Sequence, residues 1–216
     1  MSRTDKPLSK ELIARLPRYN RYFYEYFCSG AERVSSETIA RKLGITPSQV
    51  RNDLARFTAA GRQGYGYNVK NLYMSISEEL GFHSVKNCIL LGTGNVGRSL
   101  IGNKMFVNQG FRLLAAFDVR NVGQVFNGLT VRHTDTLRDF AAAERVDIAI
   151  IATPAENAQD AAQKAYDAGV RGFLNFSYID LNLPPDAVTE NVHLIDSLMR
   201  LSYKMSLNKE LGAHPY

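Results

Sequence analysis

The sequence predicts an α/β protein in two parts, a small helical unit followed by a parallel sheet flanked by helices. Three observations carry this. A short apolar run, Cys88–Leu91, ends in Gly92-Thr93-Gly94-Asn95-Val96-Gly97, a G-x-G-x-x-G, and a second apolar run, Leu113–Phe117, is closed by Asp118. Beyond it, strand-like and helix-like segments alternate as far as Phe176. Ahead of it, Val34–Phe57 carries the caps and spacings of two short helices joined by a glycine turn.

Length and charge frame the elements. A chain of 216 residues suits two domains, and 45% hydrophobic content supports a substantial core. No apolar run is long enough to span a bilayer. The opening MSRTDKPLSKE lacks the apolar middle of a secretion signal, so a cytoplasmic protein with no membrane partner is expected. Cys28 and Cys88 have no metal-ligand spacing, and both are expected as buried small apolar residues in a reducing compartment. Net charge is +5, and residues 1–80 hold thirteen Lys/Arg against eight Asp/Glu, while the remainder is balanced. That asymmetry points to a polyanionic partner for the first part.

In chain order, Ser9–Leu16 begins a helix that Pro17 either interrupts or restarts. Arg18–Phe27 is dense in aromatics, a stripe more in keeping with packing than with base stacking, and Gly30 ends it. Ser35 or Ser36 caps the next helix, with Ile39 and Leu43 on its inner face, and Gly44 supplies the exit. Thr46 then caps a second helix, Pro47 takes its first position, and Gln49 completes a Thr-x-x-Gln capping box. Val50, Leu54 and Phe57 face inward at i, i+4 and i+7. Two short helices about a tight turn form a helix-turn-helix, although a plain helical hairpin would share the pattern. Thr46, Ser48, Gln49, Arg51 and Asn52 offer hydrogen-bonding groups for groove edges and phosphates. Gly61–Val69 alternates glycine and tyrosine, as a tight β-hairpin does, which would make a winged helix with Arg62 and Gln63 at the wing tip. Asn71–Phe82 reads as an amphipathic connector, and the winged helix is expected over residues 1–82.

The glycine loop is more specific. In a strand–turn–helix the first glycine permits the turn, the second lets backbone approach a pyrophosphate, and the third lets helix pack on strand. Helix-start N–H groups then face the phosphates. Asp118 stands twenty-one residues after Gly97, where a carboxylate can accept hydrogen bonds from an adenosine ribose. A carboxylate there favours NAD(H) over NADP(H), and Arg120 would soften the preference. A Rossmann-type sheet over residues 83–190 follows, with Leu129–His133, Val146–Ala152 and Gly172–Phe176 as strands. Asp135 is expected to cap the helix running to Ala143. Ligands in such sheets sit at the carboxyl ends of strands. The candidate cofactor residues are therefore Gly92, Thr93, Gly94, Asn95, Val96, Gly97, Asp118, Val119, Arg120, Thr153, Pro154, Ala155 and Asn175. The tail, 191–216, is expected as a helix with Leu194, Leu198, Leu201 and Met205 on one seam, covering its own domain or packing into a partner subunit.

Taken together, RLPRYNR (15–21), SQVRNDLARF (48–57), GRQGYGYNV (61–69), GTGNVG (92–97), AAFD (115–118), TPAENAQDAA (153–162), GFLNF (172–176) and ENVHLIDSLMRLSY (190–203) resemble the Rex family of redox-sensing transcriptional repressors over nearly the whole chain. The resemblance implies a homodimer that exchanges its C-terminal helix between subunits. It implies binding to palindromic operator DNA at low NADH/NAD⁺ ratio, and release when NADH binds. It also marks departures. The family usually has Tyr where Asn103 stands, and Asp, pairing with an Arg matched by Arg21, where His193 stands. It often has Arg in the wing at the position of Gln63. The resemblance thus implies DNA and NAD(H) binding with a weakened redox response.

Two other functions fit parts of the pattern. A dehydrogenase needs a general acid or base beside the nicotinamide and room for substrate. Of His83, His133, His193 and His214, only His193 is placed near the cleft and none has a catalytic partner, so no catalytic residue and no metal ligand is expected. A winged-helix regulator with a vestigial nucleotide site would keep DNA binding and lose NAD(H) affinity.

Overall fold

The computed structural model describes residues 7–58, 66–82, 84–103 and 109–210, which fall into two compact units divided between Ser84 and Val85. Among the described residues no helix is long and apolar enough to cross a membrane, and no group of three or more His, Cys, Asp or Glu is placed to hold a metal ion.

In the first unit α1 (Lys10–Cys28) begins at Ser9, whose hydroxyl accepts from Leu12 N. The helix continues through Pro17, against expectation. Pro17 sits on the exposed side, and the buried face of Leu16, Tyr19, Asn20 and Phe23 holds the turn whose hydrogen bond proline removes. Cys28, at its end, is exposed rather than buried, because it follows the solvent side of the aromatic stripe. Strand β1 (Arg33–Val34) leads to α2 (Ser36–Leu43), capped by Ser35 and ended by Gly44 in the left-handed region at φ 70°. Helix α3 (Pro47–Leu54) is capped by Thr46. Strand β2 (Tyr67–Asn68) does not pair within 66–69, as a local hairpin would. Its antiparallel partner is β1, with Arg33 opposite Asn68 and Val34 opposite Tyr67. The other residues of the expected wing, including Arg62 and Gln63, lie outside the described residues. The expected connector is helix α4 (Val69–Glu79), capped by Asn68 and packed along α1.

The core of this unit joins Leu16, Tyr19, Phe23, Ile39, Leu43, Val50, Leu54, Leu72 and Ile76. The α1 aromatics serve packing and capping. Phe27 and Tyr24 lie on Tyr73 of α4, and the Tyr22 hydroxyl and Arg18 guanidinium donate to the Lys42 and Leu43 carbonyls that close α2. Those carbonyls have no partner within their own helix.

The second unit is a seven-stranded sheet in the order β5-β6-β4-β3-β7-β8-β9. Its strands are β3 (Lys86–Leu91), β4 (Phe111–Asp118), β5 (Val125–Phe126), β6 (Leu129–His133), β7 (Ile148–Ile151), β8 (Gly172–Asn175) and β9 (Val188–Asn191). All pairings are parallel except β5 with β6. Helices α5 (Asn95–Leu100), α6 (Leu137–Ala143), α7 (Ala155–Asp167) and α8 (Leu194–Glu210) complete it. Burial on both faces explains the uninterrupted apolar strands. Ile89, Leu91, Phe117, Ile151 and Phe173 pack against α6 and the alanine face of α7, while Cys88, Leu90, Ala116, Val131 and Ile150 face the other way.

Three features depart from the sequence expectation. The β5–β6 hairpin turns on Asn127-Gly128, both at positive φ (46° and 81°), the geometry of a two-residue primed turn. Asn191, the expected start of the tail helix, ends β9, and the helix begins at Leu194. His133, not Asp135, caps the turn before α6, its Nδ1 accepting from Asp135 N, and this pulls the cap two residues upstream.

Candidate functional site

On α3, Ser48, Arg51 and Asn52 are exposed together, beside the exposed cap Thr46. Arg51 rests lightly on the start of α2, with Nη1 3.3 Å from Ser36 Oγ and 3.9 Å from Glu37 Oε1. Gln49 leaves this face. Thr46 Oγ1 accepts from Gln49 N, but the Gln49 side chain does not return to the cap as a capping box requires. It donates instead to Asp53 Oδ1 at 2.7 Å. Gln49 is thereby spent on structure, because a buried carboxylate binds its amide more strongly than an exposed backbone N–H would.

Asp53 is the residue that sequence reasoning overlooked. Its carboxylate is only 4% exposed and takes the Arg15 fork, Nε at 2.7 Å and Nη2 at 2.9 Å, together with the Tyr19 hydroxyl at 3.0 Å and Gln49. Burial pushes the carboxyl up, and the Arg15, Gln49 and Tyr19 hydrogen bonds outweigh it, so the group stays charged below the usual carboxylate range. Two α1 side chains thus hold α3 from its inner side, fixing which face of α3 looks outward.

In the second unit the three loop glycines have three distinct surroundings. Gly92 has φ 96°, and a Cβ there would come within 2.6 Å of the Ala152 carbonyl oxygen and 2.8 Å of Thr153 N. A Cβ on Gly97 would collide with the Gly92 carbonyl. Around Gly94 there is no atom within 4 Å of that position. The first and third glycines therefore let protein approach protein, and the second keeps a space open at the start of α5. This is the cradle a pyrophosphate needs. It lies where β4 and β7 flank β3, the point at which the chain switches sides of the sheet.

Asp118 is turned toward that loop. Its Oδ2 accepts from Thr93 N and Thr93 Oγ1, both at 2.7 Å, and its Oδ1 from Arg120 N at 2.8 Å. Asn121 completes the strap by donating to Thr93 Oγ1 at 2.9 Å. A ribose hydroxyl would share Oδ1 rather than find a free carboxylate, and the buried Thr93 side chain is fully engaged. Burial pushes the Asp118 carboxyl up, but the N–H groups of Arg120, Thr93 and Asn121 and the Thr93 hydroxyl bring it down to about 2. A folded value below the unfolded one, near 3.9, contributes stability above that pH and loses it as pH falls toward 2. Acid unfolding of the parent is therefore expected to steepen between about pH 4 and 2. Asp118→Asn should show a shallower transition by circular dichroism, and identical profiles would remove Asp118 from this role.

The other candidates divide. Asn95, Val96, Val119, Arg120, Pro154 and Ala155 are exposed around the same strand ends. The Thr153 hydroxyl is buried with no partner. Asn175, fully buried, donates to Ile179 O and Asn191 Oδ1 and accepts from Ser177 N and Oγ. Its amide organises the loop after β8, so it supports the cleft rather than facing a ligand. Arg21 is exposed in the first unit, its guanidinium 5.3 Å from the Tyr22 ring centroid. Asn103, exposed, and His193, half-buried, belong to the second unit. Orphaned Thr153, open Gly94 and the strapped Asp118 together fit a dinucleotide.

The chain is therefore a helix-turn-helix protein carrying a Rossmann-type nucleotide domain. The family described as CoA binding domain matches residues 83–179, and that described as putative DNA-binding protein N-terminus matches residues 8–55. The redox-sensing transcriptional repressor Rex of Thermoanaerobacter pseudethanolicus is 40% identical over 208 residues, 95% of this chain and 92% of that protein. The Clostridium tetani repressor of the same name is 40% identical over 94% of this chain and 97% of its own. Crystal structures of RSP, a Rex-family repressor, superpose with TM-scores of 0.86 in complex with beta-NAD⁺ and operator DNA and 0.84 with beta-NADH. Both are 38% identical; the first covers 98% of this chain and 100% of its own, the second 95% and 97%. The chain belongs to the Rex family of redox-sensing transcriptional repressors.

Proposed function

We infer that the chain is a DNA-binding repressor whose grip on operators responds to the cellular NADH/NAD⁺ balance. The observation that carries this is the open space at Gly94 between two glycines that protein atoms crowd, in a chain that also presents Ser48, Arg51 and Asn52 on a capped second helix. RSP, bound to both beta-NAD⁺ and operator DNA, supports both halves of the reading. NAD(H) would lie with its pyrophosphate on the N–H groups from Gly94 onward and its adenosine ribose toward Asp118. The cofactor supplies only the oxidation state being sensed; this chain's residues bind and orient it.

Gly94→Ala fills the cradle while leaving the protein contacts untouched, so NADH affinity should fall tenfold or more, about 1.4 kcal/mol, by calorimetry. Unchanged affinity would move the pyrophosphate elsewhere. Arg51→Ala should cost operator binding roughly 1–3 kcal/mol and relax sequence preference, judged against scrambled duplex. Equal losses on both duplexes would make Arg51 a phosphate contact only.

A palindromic operator calls for two copies of α3 at fixed spacing. Helix α8 is the surface that would supply the second copy. Leu194, Leu198, Leu201 and Met205 are all more than half exposed. A seam of that kind is unstable in water and is covered by the same seam or the sheet of a partner. The homodimer proposed here places that partner on it.

A further inference from the structure

Arg51 is the single cation of α3, PSQVRNDL, and its guanidinium is already engaged on one side. Its Nη1 donates to Ser36 Oγ at 3.3 Å, and the Ser36 hydroxyl donates in turn to Glu37 Oε1 at 3.2 Å. The same carboxylate oxygen stands 3.9 Å from Nη1. Ser36 and Glu37 open α2, so a guanidinium on one helix is tied to two side chains on another. The tie has a direction. A hydroxyl has one proton, and Ser36 gives it to Glu37, which leaves its lone pairs for Arg51. Glu37 is ionised throughout the neutral range, because its own backbone N–H, the Ser35 and Ser36 hydroxyls and Arg51 hold its carboxyl below the usual carboxylate range. For stability the contact means little. Arg51 is 54% exposed and Glu37 62%, and an ion pair so open to water is screened. An acid in the first turn also suits the α2 dipole, and Glu37 would serve that end without touching Arg51.

What the contact does fix is the edge of Arg51 that a ligand can take. A guanidinium presents five N–H donors in a rigid plane. With Nη1 held by α2, the edge formed by Nε and Nη2 is the fork left open among the described residues. The same edge of Arg15 grips Asp53. Two parallel N–H groups match O6 and N7 of a guanine in the major groove, the commonest specific contact to a base. A phosphate is met differently. It is an anion, and on reaching Arg51 it finds the Glu37 carboxylate already beside the guanidinium, whereas a base edge carries no net charge. Discrimination can come from such a repulsive element as well as from an attractive one. Resting on the reading of Arg51 as a base contact, we propose that Ser36 and Glu37 are positioning residues that set operator specificity. They present the open fork of Arg51 to a guanine edge and withhold it from phosphates. Glu37 therefore weakens binding to non-specific duplex more than binding to the operator.

The test is a set of fluorescence-anisotropy titrations of the full chain at several salt concentrations with three probes. They are an operator that the parent selects from random duplex, the same operator with one guanine at a time replaced by a deazaguanine that lacks N7, and a scrambled duplex. Glu37→Gln should bind scrambled duplex about tenfold more tightly and steepen its salt dependence by about one power per subunit, as Arg51 turns to a phosphate. It should gain little on the operator, so the preference for operator falls. Ser36→Ala, which cuts the bridge and keeps the carboxylate, should narrow the same preference by weakening the operator alone. One deazaguanine should weaken the parent, and that loss should vanish in Arg51→Ala and shrink in Ser36→Ala. A Glu37 that only serves the α2 dipole would lower both affinities together with the melting temperature. That result, or a parental ratio of operator to scrambled affinity in Glu37→Gln, would overturn the proposal while Arg51→Ala still loses sequence preference. Equal losses on both duplexes in Arg51→Ala would overturn the reading of Arg51 as well.

Discussion

Replacing Asp53 with alanine is expected to cost about 3 kcal/mol of stability in the first unit, near the lower end for breaking a buried ion pair, because Arg15 keeps some solvent contact. The loss arises from what remains. Arg15, the Tyr19 hydroxyl and the Gln49 amide would all face inward without their shared acceptor. Tyr19 is fully buried and would lose the carboxylate to which it donates. Asp53→Asn keeps the shape but loses the charge and one acceptor, so it should fall between alanine and the parent. Urea denaturation followed by tyrosine fluorescence reads both. Operator affinity should fall with stability even though Asp53 touches no DNA in this account, since α3 loses the side chains that set its outward face. A stable Asp53→Ala protein with parental operator binding would show that the network is decoration.

The paired substitution Leu198→Glu with Leu201→Glu is expected to abolish dimerisation and weaken operator binding at least a hundredfold, the advantage that linking two modest contacts confers. Both leucines are more than half exposed in a single copy, at 58% and 52%, so the fold of one subunit loses little. In a covered seam, however, four carboxylates would be buried close together. Sedimentation should show monomers with a parental circular dichroism spectrum. A soluble dimer that still binds its operator would place the subunit contact on another surface.

What the sequence disclosed, and what it withheld, follows from how local each constraint is. The glycine loop is legible because each glycine answers a steric demand a few residues long, as the crowded Gly92 and Gly97 demonstrate. Ser35 and Thr46 were legible as caps for the same reason, each accepting from an N–H three residues on. The Asp53 network was not, since its partners Arg15 and Tyr19 lie 38 and 34 residues away. A signal was present nonetheless: Asp53 falls between Val50 and Leu54 on the inner face of its helix, where a lone carboxylate demands a partner. Strand β5 carries a short hairpin signal in Asn127-Gly128, but Val125–Phe126 is too short to show alternation, so the sequence pattern does not mark it as a strand. Strand β9 is polar edge sequence with no apolar face to betray it. Asp118 is legible from its spacing as a carboxylate at a strand tip, yet its contacts to Thr93 depend on how the loop folds back, which spacing alone does not contain.

The central claim, that one chain couples a dinucleotide's oxidation state to operator binding, rests on differential affinity, for a ligand shifts an equilibrium only by preferring one state. His193 in place of a carboxylate cannot form an ion pair with Arg21, and Asn103 is shorter than a tyrosine and has no ring to lie on a nicotinamide. The account therefore predicts coupling in the Rex direction but of reduced size. The most direct measurement is operator affinity with saturating NADH and with saturating NAD⁺, in the parent and in Asn103→Tyr/His193→Asp. NADH should weaken binding of the parent by less than tenfold, under about 1.4 kcal/mol of coupling, and of the double variant by more. Identical operator affinity with NADH and NAD⁺ in both proteins would contradict redox sensing, and a hundredfold NADH effect in the parent would contradict the part assigned to Asn103 and His193.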